Sequence, residues 1–194
     1  MAILLKNSAF VHIPKTGGIW VKQCLESCAK SSIQKNHVAD TAHFVPDVEG
    51  RGVFLFVRHP CSWLESLFSQ RKYKGWNWDT RNELEAKCKA NNFNKFIDNI
   101  SQMEGVINRY FDKYTQKYEA DNDLQVGKTE SLSIDLIRLL KYFNEDFDEG
   151  SIKKFNVKKI NNSKIKFGFK SKMNEEQRAK IFISQKDFYE KYGY

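Results

Sequence analysis

Two short, nearly uninterrupted apolar runs, Ala9-Phe-Val-His-Ile13 and Val53-Phe-Leu-Phe-Val57, each break into a basic turn and then into a helical pattern. A run without polar alternation predicts a strand buried on both faces, as in the interior of a parallel sheet. The helical patterns that follow cover Gly18–Lys30 and Ser62–Lys72. Further helices are predicted at Arg81–Lys89, Ser133–Phe143 and Asn174–Lys191, the last with Asn174 as its N-cap, and a further strand at Leu124–Lys128. This alternation predicts an α/β fold, a three-layer sandwich around a central, mostly parallel sheet. With 194 residues and no Ser-, Gly- or Pro-rich linker, one domain over 1–194 is expected.

Composition narrows the class. Fifteen Phe, eight Tyr and four Trp exclude a mainly disordered chain, and three Pro with ten Gly exclude a collagen-like one. No stretch approaches the roughly 20 apolar residues of a membrane span. The opening Met1-Ala-Ile-Leu-Leu-Lys6 is too short an apolar run for a signal peptide, so no membrane and a cytoplasmic setting are expected. Cys24, Cys28, Cys61 and Cys88 form no CxxC pair, and the first two share a helix face. Buried reduced thiols and no metal site are the expectation.

Net charge is +8, which points to an anionic partner. Between Ser151 and Lys172 lie eight lysines and no acid. That stretch reads as a solvated loop or as a surface that collects phosphate or sulfate.

The first turn reads His12-Ile-Pro-Lys-Thr-Gly-Gly-Ile-Trp20. Gly17 and Gly18 let backbone amides approach an anion, the following helix start adds partial positive charge, and Lys15 adds a full one. Alone, the turn reads as a tight turn or as an anion cradle. It is not a Walker A loop, because the lysine precedes the glycines, and this argues against a nucleotide kinase or ATPase. The second strand ends in Arg58-His-Pro-Cys-Ser-Trp-Leu-Glu-Ser66, where a guanidinium and a hydroxyl suit a phosphate monoester. The alternative is an Arg capping its own loop and a Ser on a solvated face.

Together these motifs resemble the PAPS-dependent sulfotransferases, most nearly the carbohydrate (glycan O-) sulfotransferases. PKTGGIW resembles their 5′-phosphosulfate loop, and RHPCSWLES their 3′-phosphate motif. Val126-Gly-Lys-Thr-Glu-Ser-Leu132 looks like the family's strand with its Glu-x-Leu step, and Ile160-Asn-Asn-Ser-Lys164 is similar to its Asn-x-Ser-Lys stretch. The closing Asp187–Tyr194 is similar to the usual C-terminus. The likeness is strongest over residues 10–70 and loose between 75 and 120.

The resemblance implies a P-loop-NTPase-like sulfotransferase fold and sulfuryl transfer from PAPS to a hydroxyl acceptor, a carbohydrate, with no metal. Lys15 would neutralise the leaving phosphate, Thr16, Gly17 and Gly18 would donate hydrogen bonds to it, and Trp20 would lie near the adenine. Arg58 and Ser66 would hold the 3′-phosphate, and Lys164 and Lys166 would reach it or close over the nucleotide. Ile19 stands where the family has Thr or Ser, which removes one hydroxyl contact and keeps open a PAP-binding protein without turnover.

The base that activates the acceptor is expected at His37 or His43, with His37 preferred for its spacing from Arg58; Glu49 or Glu65 is the alternative, since some relatives use Glu. His12 and His59 each have a structural reading. Trp76 and Trp78 read as a sugar-stacking platform or as helix packing. A basic nucleic-acid-binding module is the rival from another class, but the chain has no zinc finger, RRM signature or basic helical stripe, so no nucleic acid is expected.

Overall fold

The computed structural model describes residues 2–34, 48, 50–76, 83–119, 123–155 and 171–194. Their contacts divide into two compact units, one of Met1–Arg58 with Tyr114–Ile160 and one of His59–Lys113 with Asn161–Tyr194.

The first unit is α/β. Strands β1 (Ala2–Leu4), β2 (Ser8–Val11), β3 (Gly52–Val57) and β4 (Leu124–Lys128) form a mixed sheet in the order β1-β2-β3-β4. β1 and β2 make an antiparallel hairpin that pairs Ala2 with Val11 and Leu4 with Ala9. The rest of the sheet is parallel, with Val11 opposite Leu55 and Val57 opposite Lys128. The side chains of Val53 through Val57 are all buried, so β3 is covered on both faces, as its continuous apolar pattern predicts.

Helices α1 (Gly18–Cys28), α6 (Leu132–Tyr142) and α7 (Glu149–Phe155) belong to this unit. Phe10, Phe54 and Phe56 pack in one core with Trp20, Val21 and Leu25 of α1 and with Leu136, Leu139 and Leu140 of α6. Cys24 and Cys28 lie one turn apart in this core with their sulfurs 3.4 Å apart. All four cysteines are buried free thiols, as expected.

The second unit is helical among its described residues. It holds α2 (Pro60–Lys74), α3 (Glu83–Cys88), α4 (Phe93–Ser101), the start of α5 (Val106–Glu119), α8 (Glu175–Ser184) and α9 (Lys186–Tyr192). Trp63 is fully buried against Tyr110 and Phe111, and Phe111 meets Phe188 edge-on at 4.9 Å. The predicted N-cap is present: Asn174 accepts from the Gln177 amide at 2.8 Å, and the Gln177 side chain accepts in return from the Asn174 amide at 3.1 Å.

The single helix expected over Asn174–Lys191 is instead two, broken at Gln185, where φ is −120°. The Gln185 amide side chain accepts from Ile107 N at 3.0 Å and donates to Met103 O at 2.8 Å. Those bonds serve main-chain groups at the start of α5 and favour the break over an unbroken helix.

Candidate functional site

The parallel register places the carboxyl ends of β2, β3 and β4 on one edge of the sheet, where ligands gather in open α/β folds. The turn from His12 to Gly17 follows β2. Two of its residues have left-handed backbone, Lys15 (φ 70°) and Gly17 (φ 84°). A lysine in that region carries a strain of about 1–3 kcal/mol, which the surrounding contacts must outweigh. Thr16, between them, is buried, and its hydroxyl donates to Ile13 O at 2.8 Å. That hydroxyl is therefore committed inside the turn.

Gly17 is favoured by its left-handed backbone and Gly18 by a close approach. A Cβ on Gly17 would lie 2.9 Å from Cδ1 of Leu132, and one on Gly18 only 1.8 Å from Cδ2 of His12. Gly17 is the N-cap of α1, and the first intrahelical bond runs from Val21 N to Gly17 O at 3.1 Å. The first amides of such a helix have no intrahelical acceptor, so they present donors and a positive dipole end at the turn. Ile19 is 44% exposed in the first turn of α1. Trp20 is buried in the core of the first unit, edge-on to Phe155 at 5.8 Å.

Arg58 follows β3 directly, and its guanidinium donates to Lys15 O at 3.3 Å. Two basic residues far apart in the sequence thus meet at adjacent strand ends. Thr129, the first residue after β4, adds a third link: its hydroxyl lies 2.8 Å from Val57 O and 3.1 Å from Thr16 O. The sequence reading assigned Thr129 no role. The signal was its place, a hydroxyl at the carboxyl end of a parallel strand.

The segment carrying Thr129 is anchored by Asp135 of α6. Its carboxylate accepts from Lys128 N at 2.8 Å and from the Ser131 hydroxyl at 2.6 Å, and pairs with Arg138 at 3.2 Å. Burial alone would raise the pKa of this carboxyl, but these donors outweigh it and hold the group below the ordinary carboxylate value. Lys15, Arg58 and the helix start together make a cationic, donor-rich edge suited to a phosphate or sulfate group.

The other predicted residues fall elsewhere. Ser66 is a buried residue of α2 in the second unit. Glu65, one of the alternative bases, accepts from Met173 N at 3.0 Å and from Arg178 at 3.2 Å, so its carboxylate is occupied in holding α2 to the start of α8. His59 caps α2 by accepting from Cys61 N at 3.3 Å, and it lies edge-on to Tyr189 and Tyr194. Trp76 donates to Ala90 O at 3.2 Å and packs on Phe68 and Phe96, which is the packing reading of that residue. His37, His43, Glu49, Trp78, Lys164 and Lys166 lie outside the described residues.

No family model matches the chain, and no curated protein matches its sequence. Among the described residues, no helix is long and apolar enough to cross a membrane.

Proposed function

We propose that the chain is a PAPS-dependent O-sulfotransferase of the three-layer, P-loop-NTPase-like type, acting on a carbohydrate hydroxyl. The observation that carries this reading is the bond from Arg58 to the main-chain carbonyl of Lys15, which ties the residue after one strand to the glycine turn that follows the next, so that both basic residues belong to one edge of the sheet. A nucleotide with phosphate at both ends of its ribose needs such a pair, and ATP, which lacks a 3′-phosphate, does not. The left-handed lysine at the mouth of a glycine turn supports the same reading, since a merely tight turn is made without strain by glycine.

Sulfuryl transfer breaks the bond between the sulfur and the 5′-phosphate oxygen of PAPS and forms one between the sulfur and the acceptor oxygen. The acceptor proton passes to a base, and PAP leaves with the added negative charge on its 5′-phosphate. Lys15 and the amides at the start of α1 stabilise that charge as it develops, and preorganised donors do so without rearranging. Arg58 holds the 3′-phosphate. His37 is the proposed base, with His43 in second place. An imidazole with an ordinary pKa of about 6.5 is matched to this task near neutral pH, where general-base catalysis is worth roughly 10²–10⁴-fold.

Ile19 favours a second reading, a PAP-binding protein without turnover, because it offers no hydroxyl at the start of α1. Incubation with labelled PAPS and a panel of glycans separates the two. Transfer of label that is lost in His37→Ala supports the enzyme. PAP uptake in calorimetry with no transfer to any acceptor supports the binding protein, and the absence of PAP uptake removes both.

A further inference from the structure

The stretch from Thr129 to Leu132, the first residue of α6, touches the turn at two consecutive residues. The Thr129 hydroxyl faces Thr16 O, and Leu132 fills the space beside Gly17 that a side chain there would need. Both contacts come from one short stretch fixed by Asp135. We infer that Thr129 is a positioning residue for the turn, setting the direction in which the Gly17 amide faces; this rests on the reading of the turn as the donor-phosphate site.

The reason is peptide geometry. In a planar trans peptide the carbonyl and the following N–H point in opposite directions, and the chain has no cis peptide among its described residues. Thr16 O is drawn toward Thr129 at the strand ends, so the Gly17 N–H of the same peptide faces away from them. Both partners of the Thr129 hydroxyl, Val57 O and Thr16 O, are pure acceptors, so its single proton is shared between them. One group therefore ties the turn to the end of β3.

The anchor is needed because Gly17 is the permissive residue here. At a glycine the adjoining peptide can turn over with little steric cost, and a turned peptide would present a carbonyl, rather than an amide, to an anion. The preceding carbonyl, that of Lys15, is held by Arg58. Side chains from the ends of β3 and β4 thus fix two successive peptides of the turn.

Thr129→Val keeps the branched shape and removes the proton, whereas Thr129→Ser keeps the hydroxyl. In calorimetry of the full chain with PAP, affinity should fall about tenfold in Thr129→Val and stay within about twofold of wild type in Thr129→Ser. The Gly17 amide resonance should move in Thr129→Val and return in Thr129→Ser. Wild-type PAP uptake with equal uptake by Thr129→Val overturns the inference and leaves the proposed function standing. If the wild type takes up no PAP, the proposed function fails, and the Gly17 resonance alone decides: displacement reversed by serine supports the positioning role, and an unmoved resonance refutes it. Should Thr129→Val not fold, Thr129→Ala is read by the same criteria.

Discussion

The imidazole of His12 occupies the space that a side chain on Gly18 would take, with Cδ2 only 1.8 Å from the position of a Cβ. His12 stands one residue past β2 and is half-buried, so either its ring or the start of α1 must shift to admit a side chain at position 18. Gly18→Ala should therefore destabilise the protein by about 1–3 kcal/mol, the range for overpacking. Urea denaturation of Gly18→Ala, His12→Ala and the double variant checks the cause. The alanine at 18 should cost markedly less where the ring is gone, and strict additivity would remove His12 from the account.

Lys15 gives a prediction in which stability and activity part company. Its left-handed backbone suits glycine, so Lys15→Gly should be more stable than Lys15→Ala by about 1 kcal/mol. Both should lose turnover of labelled PAPS, because the leaving phosphate loses its charge partner. Activity retained in either variant would take Lys15 out of the mechanism.

Arg58→Ala should raise the KM for PAPS, and Arg58→Lys should restore little of it. A lysine has no planar fork with which to bind a phosphate while also reaching Lys15 O. Steady-state kinetics across PAPS concentrations decide this, and an unchanged KM in Arg58→Ala would count against the 3′-phosphate assignment.

Asp135 makes stability pH-dependent in a defined direction. A carboxyl held below its ordinary value stabilises the fold in its charged form. That contribution is complete above the unfolded value of about 3.9 and is lost as pH falls through the lower folded value. The stability gap between wild type and Asp135→Asn should be constant from neutral pH to about pH 5 and should shrink below about pH 4. A gap that grows toward acid would reverse the assignment.

The thiols should be inert in the folded protein. Burial pushes Cys88 up to about 12 and also raises Cys24, Cys28 and Cys61 above the ordinary thiol value. At pH 8 all four therefore stay protonated and shielded, and a disulfide reagent should label them only after unfolding. Rapid native labelling of any one would show that its surroundings open readily.

The parts of the fold legible in the sequence were those whose signal is local. The continuous apolar runs marked β2 and β3, Leu124–Lys128 marked β4 at its observed bounds, and Asn174 marked a helix start. What was missed depends on distant partners. β1 is three residues long and is a strand because Leu4 pairs with Ala9 across a hairpin. α4 is the exception, since Phe93, Phe96, Ile97 and Ile100 recur at the i, i+3, i+4, i+7 spacing of an amphipathic helix, a local signal that went unread. The break at Gln185 answers main-chain groups near residue 105, and nothing in the sequence around it announces those bonds.

The candidate site divides in the same way. Lys15, Gly17, Gly18 and Arg58 carry charge or special backbone freedom and stood out unaided. For Trp20 and Thr16 the sequence leaves open what the side chain touches, whereas the structure packs the indole in a core and bonds the threonine hydroxyl within its own turn. Aromatic and hydroxyl side chains serve both purposes, and the choice is made by neighbours the local sequence does not show.

The bond between Thr129 and Thr16 spans 113 residues. During synthesis, the glycine turn and the strand that precedes it leave the ribosome long before the residue that clamps them exists. Loop-closure entropy has to be met before such a distant contact can form, so the turn takes its final shape late, after most of the chain has been made. A nascent chain stalled ahead of β4 would carry every basic and glycine residue of the turn and still lack the grip that orients it.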